Sequence, residues 1–119
     1  MEDKEIVKRT FEFAVKIIKF VSGFDGSSIA SRVLCQQLVK SGTSIGANME
    51  EAQAAQSKSD FIHKCSISLK ESRETTYWLR LLMASGLCEA EKMQSLKQES
   101  EEIGRIIAQI IINSKKRSA

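Results

Sequence analysis

Between Ser41 and Ala52 the chain reads Ser-Gly-Thr-Ser-Ile-Gly-Ala-Asn-Met-Glu-Glu-Ala, and most of these side chains are small. Upstream positions run into this stretch in helical phase: Leu34, Leu38, Ser41, Ile45, Asn48 and Ala52 are spaced three and four apart, as one face of a helix requires. A helix trimmed in this way lets a neighbouring backbone come very close. Gly42 and Gly46 each weaken such a helix by roughly 1 kcal/mol relative to alanine, so close packing must offset them or the helix kinks. The unbroken phase predicts a continuous or kinked helix here, not a loop.

The rest of the chain agrees with long helices. It has no proline and only six glycines in 119 residues, whereas a β-rich fold draws on both for its tight turns. The length suits one domain, residues 1–119, with enough chain to bury a core unaided. Four helices are expected, at about 3–22, 28–55, 58–84 and 89–114. The first has a polar stripe of Glu5, Lys8, Glu12, Lys16 and Lys19, and its remaining positions from Ile6 to Val21 are mostly apolar. That apolar arc is wider than the roughly 100° a surface helix needs, which suits a central helix or one that meets a second subunit. Gly23 is expected to stop it in a left-handed conformation.

Ser27 or Ser28 is positioned to cap the second helix, which carries Ile29, Ala30, Val33, Leu34 and Leu38 into the small-residue stretch. Ser57 and Asp60 resemble a capping box for the third. Its core stripe is Phe61, Cys65, Ser68, Leu69, Ser72, Thr76, Leu79 and Met83. The notch at Ser68 and Ser72 matches that of the second helix and predicts a close antiparallel crossing of the two. Ser85-Gly86 ends this helix. The fourth opens on Glu89 and Glu91, which favour the helix dipole, and carries Met93, Leu96, Ser100, Ile103, Ile107 and Ile110 as its core stripe. Short connections make the fold class all-α, an antiparallel up-down-up-down four-helix bundle.

Three separated blocks resemble a bacterial four-helix-bundle family: Ser41 to Ala52; Ser59-Asp60-Phe61-Ile62; and Ile67 through Glu71, Glu74, Tyr77 and Trp78 to Leu79. That family includes proteins encoded by intervening sequences in 23S ribosomal RNA genes, once labelled S23 ribosomal proteins. The similarity runs from about Glu12 to Ile112. One departure is Ala52, where many relatives have glycine. The resemblance implies a ring-like homopentamer. The family is also similar to the accessory subunit of diversity-generating retroelements, a basic pentameric barrel associated with a reverse transcriptase and nucleic acid. The family has no established biochemical activity, so Asn48, Glu51, Glu71, Glu74, Tyr77 and Trp78 carry over as pattern positions only.

The residues set limits on function. Asn48, on the core stripe, is either a ligand-binding amide or, as favoured here, a buried hydrogen-bonding group that fixes register. Paired carboxylates at Glu50-Glu51 and Glu71/Glu74 invite acid–base or di-metal readings. A bundle-core metal site needs Glu-x-x-His motifs on facing helices, and the single histidine, His63, is not in one. Glu71 and Glu74 are instead expected to pair with Lys70, Arg73 or an arginine of another subunit. Gly42-x-x-x-Gly46 has polar surroundings too short for a membrane span and lacks the lysine of a phosphate loop. No catalytic, cofactor-binding or metal-binding residue is expected, and no small-molecule substrate is identified. Structural packing roles fall to Ser41, Gly42, Ile45, Gly46, Asn48, Glu51, Ser68 and Ser72.

Two surfaces remain. Ile67, Glu74, Tyr77, Trp78 and Leu81 lie away from the core stripe of the third helix, and a lone tryptophan should not face water. Burial on a second side points to another copy of the chain, making this the candidate oligomer interface. Lys70, Arg73, Tyr77 and Arg80 share one side and, with the tail Lys115-Lys116-Arg117, are candidate nucleic-acid contacts; the plainer reading is a solvated, salt-bridged face. A net charge of +3 permits such binding without demanding it. Cys35, Cys65 and Cys88 are widely spaced and odd in number, which suggests reduced thiols in a cytoplasmic protein. The opening Met-Glu-Asp-Lys-Glu lacks a signal-peptide pattern, and no window is apolar enough to span a membrane.

Overall fold

In a computed structural model, which describes residues 2–117, the chain forms four helices: α1 (Glu2–Ser22), α2 (Ile29–Gln53), α3 (Lys58–Ala84) and α4 (Ala90–Lys116). A 27-residue helix is about 40 Å long, and the helices lie side by side in a rod of 54 × 20 × 19 Å. Consecutive helices pack closely, α1 and α4 are the loosest neighbours, and neither diagonal pair approaches. The helices therefore stand at the corners of a square in chain order, the expected bundle.

Local chemistry explains the ends. Ser28 and Ser57 cap α2 and α3, their side chains accepting from the amides of Ser31 and Asp60. Asp60 reaches back to the Gln56 amide at 3.4 Å rather than to that of the cap residue, so the box is imperfect. At the end of α3, Gly86 takes a φ of +71°, a conformation that costs glycine nothing. Gly23 does not adopt it, contrary to expectation; Gly86 is the positive-φ glycine among the described residues. α1 ends instead through short bonds from the Gly23 and Phe24 amides to the carbonyls of Phe20 and Val21.

The core comprises Ile6, Phe13 and Ile17 of α1, Leu38, Ile45 and Met49 of α2, Cys65, Leu79 and Leu82 of α3, and Met93, Ile103 and Ile107 of α4. The α4 stripe is buried as its spacing predicted. α2 runs straight through the small-residue stretch as one helix.

The small residues serve different neighbours from those expected. A Cβ on Gly46 would lie 3.1 Å from the Thr10 carbonyl oxygen, and one on Gly42 would lie 3.0 Å from the Ile17 side chain. The glycines therefore seat α1. The predicted α2–α3 contact is made by hydroxyls: Ser68 donates to the Ile45 carbonyl at 2.8 Å, and Thr75 donates to Ser41 at 2.9 Å. Ser72 turns to α4, where a Cβ on Gly104 would lie 3.0 Å from its Oγ. Thr76 and Ser100 hydroxyls, 2.6 Å apart, complete that seam.

Candidate functional site

On α3 the positions Ile67, Glu71, Glu74, Trp78 and Leu81 repeat four and three apart, the spacing of a helix–helix seam. They lie on the flank beside α2 and point partly outward. Trp78 is half-buried and packs against the core from the rim, as is Leu81 in exposure, while Tyr77 is 50% exposed. Tyr77 meets the indole edge-on at 5.1 Å between ring centroids. The indole thus belongs partly to its own core and is not turned wholly outward. Its Nε1 is buried without a hydrogen-bond acceptor, an unmet donor of the kind folded proteins rarely keep.

The two carboxylates of this flank make no ion pair among the described residues. Burial pushes the Glu71 carboxyl above its usual range and Glu74 pushes it further, with Lys70 and Lys40 pulling against both. Beside it on α2, Asn48 is half-buried rather than buried, and its amide donates to the Ser44 carbonyl one turn back within its own helix. It bonds no other helix, so the interhelical register is set by Ser68 and Thr75. Glu51 accepts from Lys64 of α3 at 3.2 Å.

Lys70, Arg73, Tyr77 and Arg80 all lie exposed on the outer side of α3. The three cations make no ion pair among the described residues, so the expected bridges to Glu74 are not formed. Lys115, Lys116 and Arg117 are exposed at the end of α4. Because Gly104 faces Ser72 in an antiparallel pair, that end is level with the start of α3, away from Arg80. Arg105 of α4 lines, with Arg73, Glu101 and Gly104, a groove of about 300 Å³ between α3 and α4. Only the α3–α4 pairing brings the two arginines to one groove, and spacing within either helix does not carry that.

A second apolar surface is larger than the sequence suggested. Phe11 is 61% exposed and Ile29 72%, with Val15, Ile18 and Val33 also exposed. Phe11 lies about 100° of helix rotation beyond Thr10, the residue against Gly46. Between α1 and α4 runs a charged groove of about 580 Å³. It is bridged by Arg9 to Glu99 and Glu102, and by Lys16 to Glu99 at 2.9 Å.

Among the described residues no three His, Cys, Asp or Glu side chains converge as metal ligands, and no helix is long and apolar enough to cross a membrane. Cys35 and Cys65 are buried and Cys88 half-buried, none of them in a disulfide among the described residues; burial, and secondarily Cys88, raise the Cys35 thiol. Fold and surfaces together define a helical-bundle protein with exposed or half-covered apolar faces and an exposed cationic row on α3.

The chain belongs to the 23S rRNA-intervening sequence protein family, which matches residues 2–109. It is similar to a solved structure from Bacteroides thetaiotaomicron, described as a protein with unknown function from the S23 ribosomal protein family. The two are 39% identical, with a TM-score of 0.83 over 93% of this chain and 98% of the other. Among curated proteins none matches. Neither the family nor the solved relative carries a catalytic description.

Proposed function

We propose that this protein is a non-enzymatic homo-oligomeric scaffold, a pentamer as the resemblance to its family implies, that acts by presenting a multi-copy surface to other molecules in the cytoplasm. The observation that carries this reading is the Trp78 flank. Ile67, Trp78 and Leu81 recur at seam spacing and are each only half-covered by their own chain, with Tyr77 half-exposed beside them. An apolar row at that spacing is what one helix offers another. Light scattering coupled to size-exclusion chromatography tests it: a mass of five chains supports the pentamer, and a 13.3 kDa species at micromolar concentration removes the oligomer.

A second reading has its own support. Lys70, Arg73 and Arg80 project around Tyr77 with no ion pair among the described residues, a cationic row with an aromatic on which a base can stack. This suits an accessory to an RNA- or DNA-processing enzyme such as a reverse transcriptase. Repetition of the row around an oligomer multiplies its phosphate contacts. Binding of this kind falls steeply with salt. A mobility shift at low salt that is lost on Arg73→Glu and Arg80→Glu supports it, and no shift at low salt with either RNA or DNA rejects it.

A further inference from the structure

Ser72 and Gly104 meet across the α3–α4 seam, where a Cβ on Gly104 would lie 3.0 Å from the Ser72 Oγ. One residue beyond each stands an arginine, Arg73 on α3 and Arg105 on α4. In an antiparallel pair a step of one residue, about 100° of rotation, turns both toward the same outer side. The two arginines therefore flank one groove from opposite helices. Both are exposed, and neither makes an ion pair among the described residues. Glu101 lines the same groove, but Lys97 holds it at 3.3 Å, so its charge is already met. The hydroxyls along the seam are committed to it: Ser72 donates to the Leu69 carbonyl, Thr76 to that of Ser72 and Ser100 to that of Lys97. What the groove offers a ligand is its two guanidinium groups.

Two planar donors on opposite lips of a cleft suit a tetrahedral anion, which presents an oxygen to each, whereas a carboxylate is satisfied by one guanidinium. The positive charge also continues along the groove. Arg80 lies seven residues, about 10 Å, further along the same lip of α3. Tyr77 stands between Arg73 and Arg80, half-exposed, its ring held edge-on against Trp78. A repeated cation matches a repeated anion, and an exposed aromatic ring among backbone contacts takes a base that is not paired.

We propose that the α3–α4 groove seats the backbone of a single-stranded nucleic acid, one phosphate gripped between Arg73 and Arg105 and a neighbouring base stacked on Tyr77. This rests on the nucleic-acid reading above and adds to it Arg105, the form of the strand and its path. Lys70 lies off that path. It comes three residues before Arg73, which puts it about 60° further round α3 from α4, and it acts instead on Glu71.

Fluorescence anisotropy of labelled oligo-uridylate and oligo-thymidylate, read over a series of salt concentrations with the full chain, tests the assignment. The variants alter exposed positions and are each first shown helical. The wild type is expected to bind, more weakly as salt rises. Arg105→Ala is expected to weaken binding and Lys70→Ala to leave it at the wild-type value. With Arg73 and Arg105 both changed to alanine, the slope of log affinity against log salt should become shallower by about 0.7, the loss of one single-strand phosphate contact. Tyr77→Ala should cost roughly tenfold in affinity through lost stacking, and Tyr77→Phe should cost nothing. Wild-type binding by Arg105→Ala, or a loss in Lys70→Ala as large as in Arg105→Ala, overturns the groove. Duplex competing as well as the single strand, or uridine monophosphate displacing it at equal phosphate concentration, overturns the strand. A wild type that leaves both oligonucleotides free at low salt removes the nucleic-acid reading itself.

Discussion

Gly46 shows how much one missing methyl group decides. Alanine is worth about 1 kcal/mol more than glycine inside a helix, so on propensity alone Gly46→Ala should stabilise α2. The new Cβ, however, meets the carbonyl oxygen and carbon of Thr10 at 3.1 and 3.2 Å, and backbone cannot rotate out of the way. Overpacking of this kind costs about 1–3 kcal/mol, so a net loss of stability is expected by chemical denaturation. Gly23→Ala is the contrast: its Cβ meets nothing closer than 3.9 Å and its φ is not positive. It should be neutral or stabilise by about 0.4–1 kcal/mol. Spacing made it legible that residues 41–52 were trimmed for a close neighbour. It did not say which neighbour, because a residue without a side chain leaves no mark of the direction it faces. That is why the glycines were matched to Ser68 and Ser72 when they seat Thr10 and Ile17. The serine caps were legible because their chemistry is local, a hydroxyl three residues from the amide it accepts.

At the scale of helices, the α1–α4 seam is the least packed and the most charged. Glu99, at 15% side-chain exposure, accepts a hydrogen bond from Lys16 and forms an ion pair with Arg9. Partly exposed pairs of this sort contribute about 0.2–1 kcal/mol and are screened by salt. Glu99→Gln should therefore lower the melting temperature at low ionic strength, and the difference from the wild type should shrink in molar salt. A difference that salt leaves untouched would assign the effect to packing. The α2–α3 flank carries the opposite electrostatic sign of effect. Glu71 has its carboxyl raised in the folded state, first by burial and then by Glu74. Below the ordinary glutamate range it is protonated whether folded or unfolded and costs nothing. As pH rises through the window between its ordinary and its raised value, the folded chain holds the proton longer than the unfolded one, so stability declines. Above that window the penalty is constant. Glu71→Gln should match the wild type in acid and exceed it at neutral pH in thermal melts. Loss of stability at neutral pH in the variant would mean that Lys70 and Lys40 outweigh burial and Glu74 at this carboxylate.

For the molecule as a whole, periodicity carried the fold class and the order of its elements, because four segments of helical burial period joined by short connections admit few arrangements. It carried the exposed surface poorly. Phe11, Ile29 and Val33 look like core residues in sequence, and a wide apolar arc does not state which part its own chain covers. Trp78 was placed on an outward face and proves half-shared between that face and the core. Arg105 joins Arg73 only through tertiary packing. Bundle proteins that act through their surfaces are hard to read for this reason: the same apolar side chain serves as core or as contact, and only the packing separates the two. Here it leaves Phe11, Val15 and Ile18 exposed on α1 and Ile67, Trp78 and Leu81 half-covered on α3. The most direct measurement is the solution mass of the wild-type protein over a range of concentrations. The account predicts a discrete species of five chains that persists into the micromolar range; a single-chain mass throughout that range contradicts it.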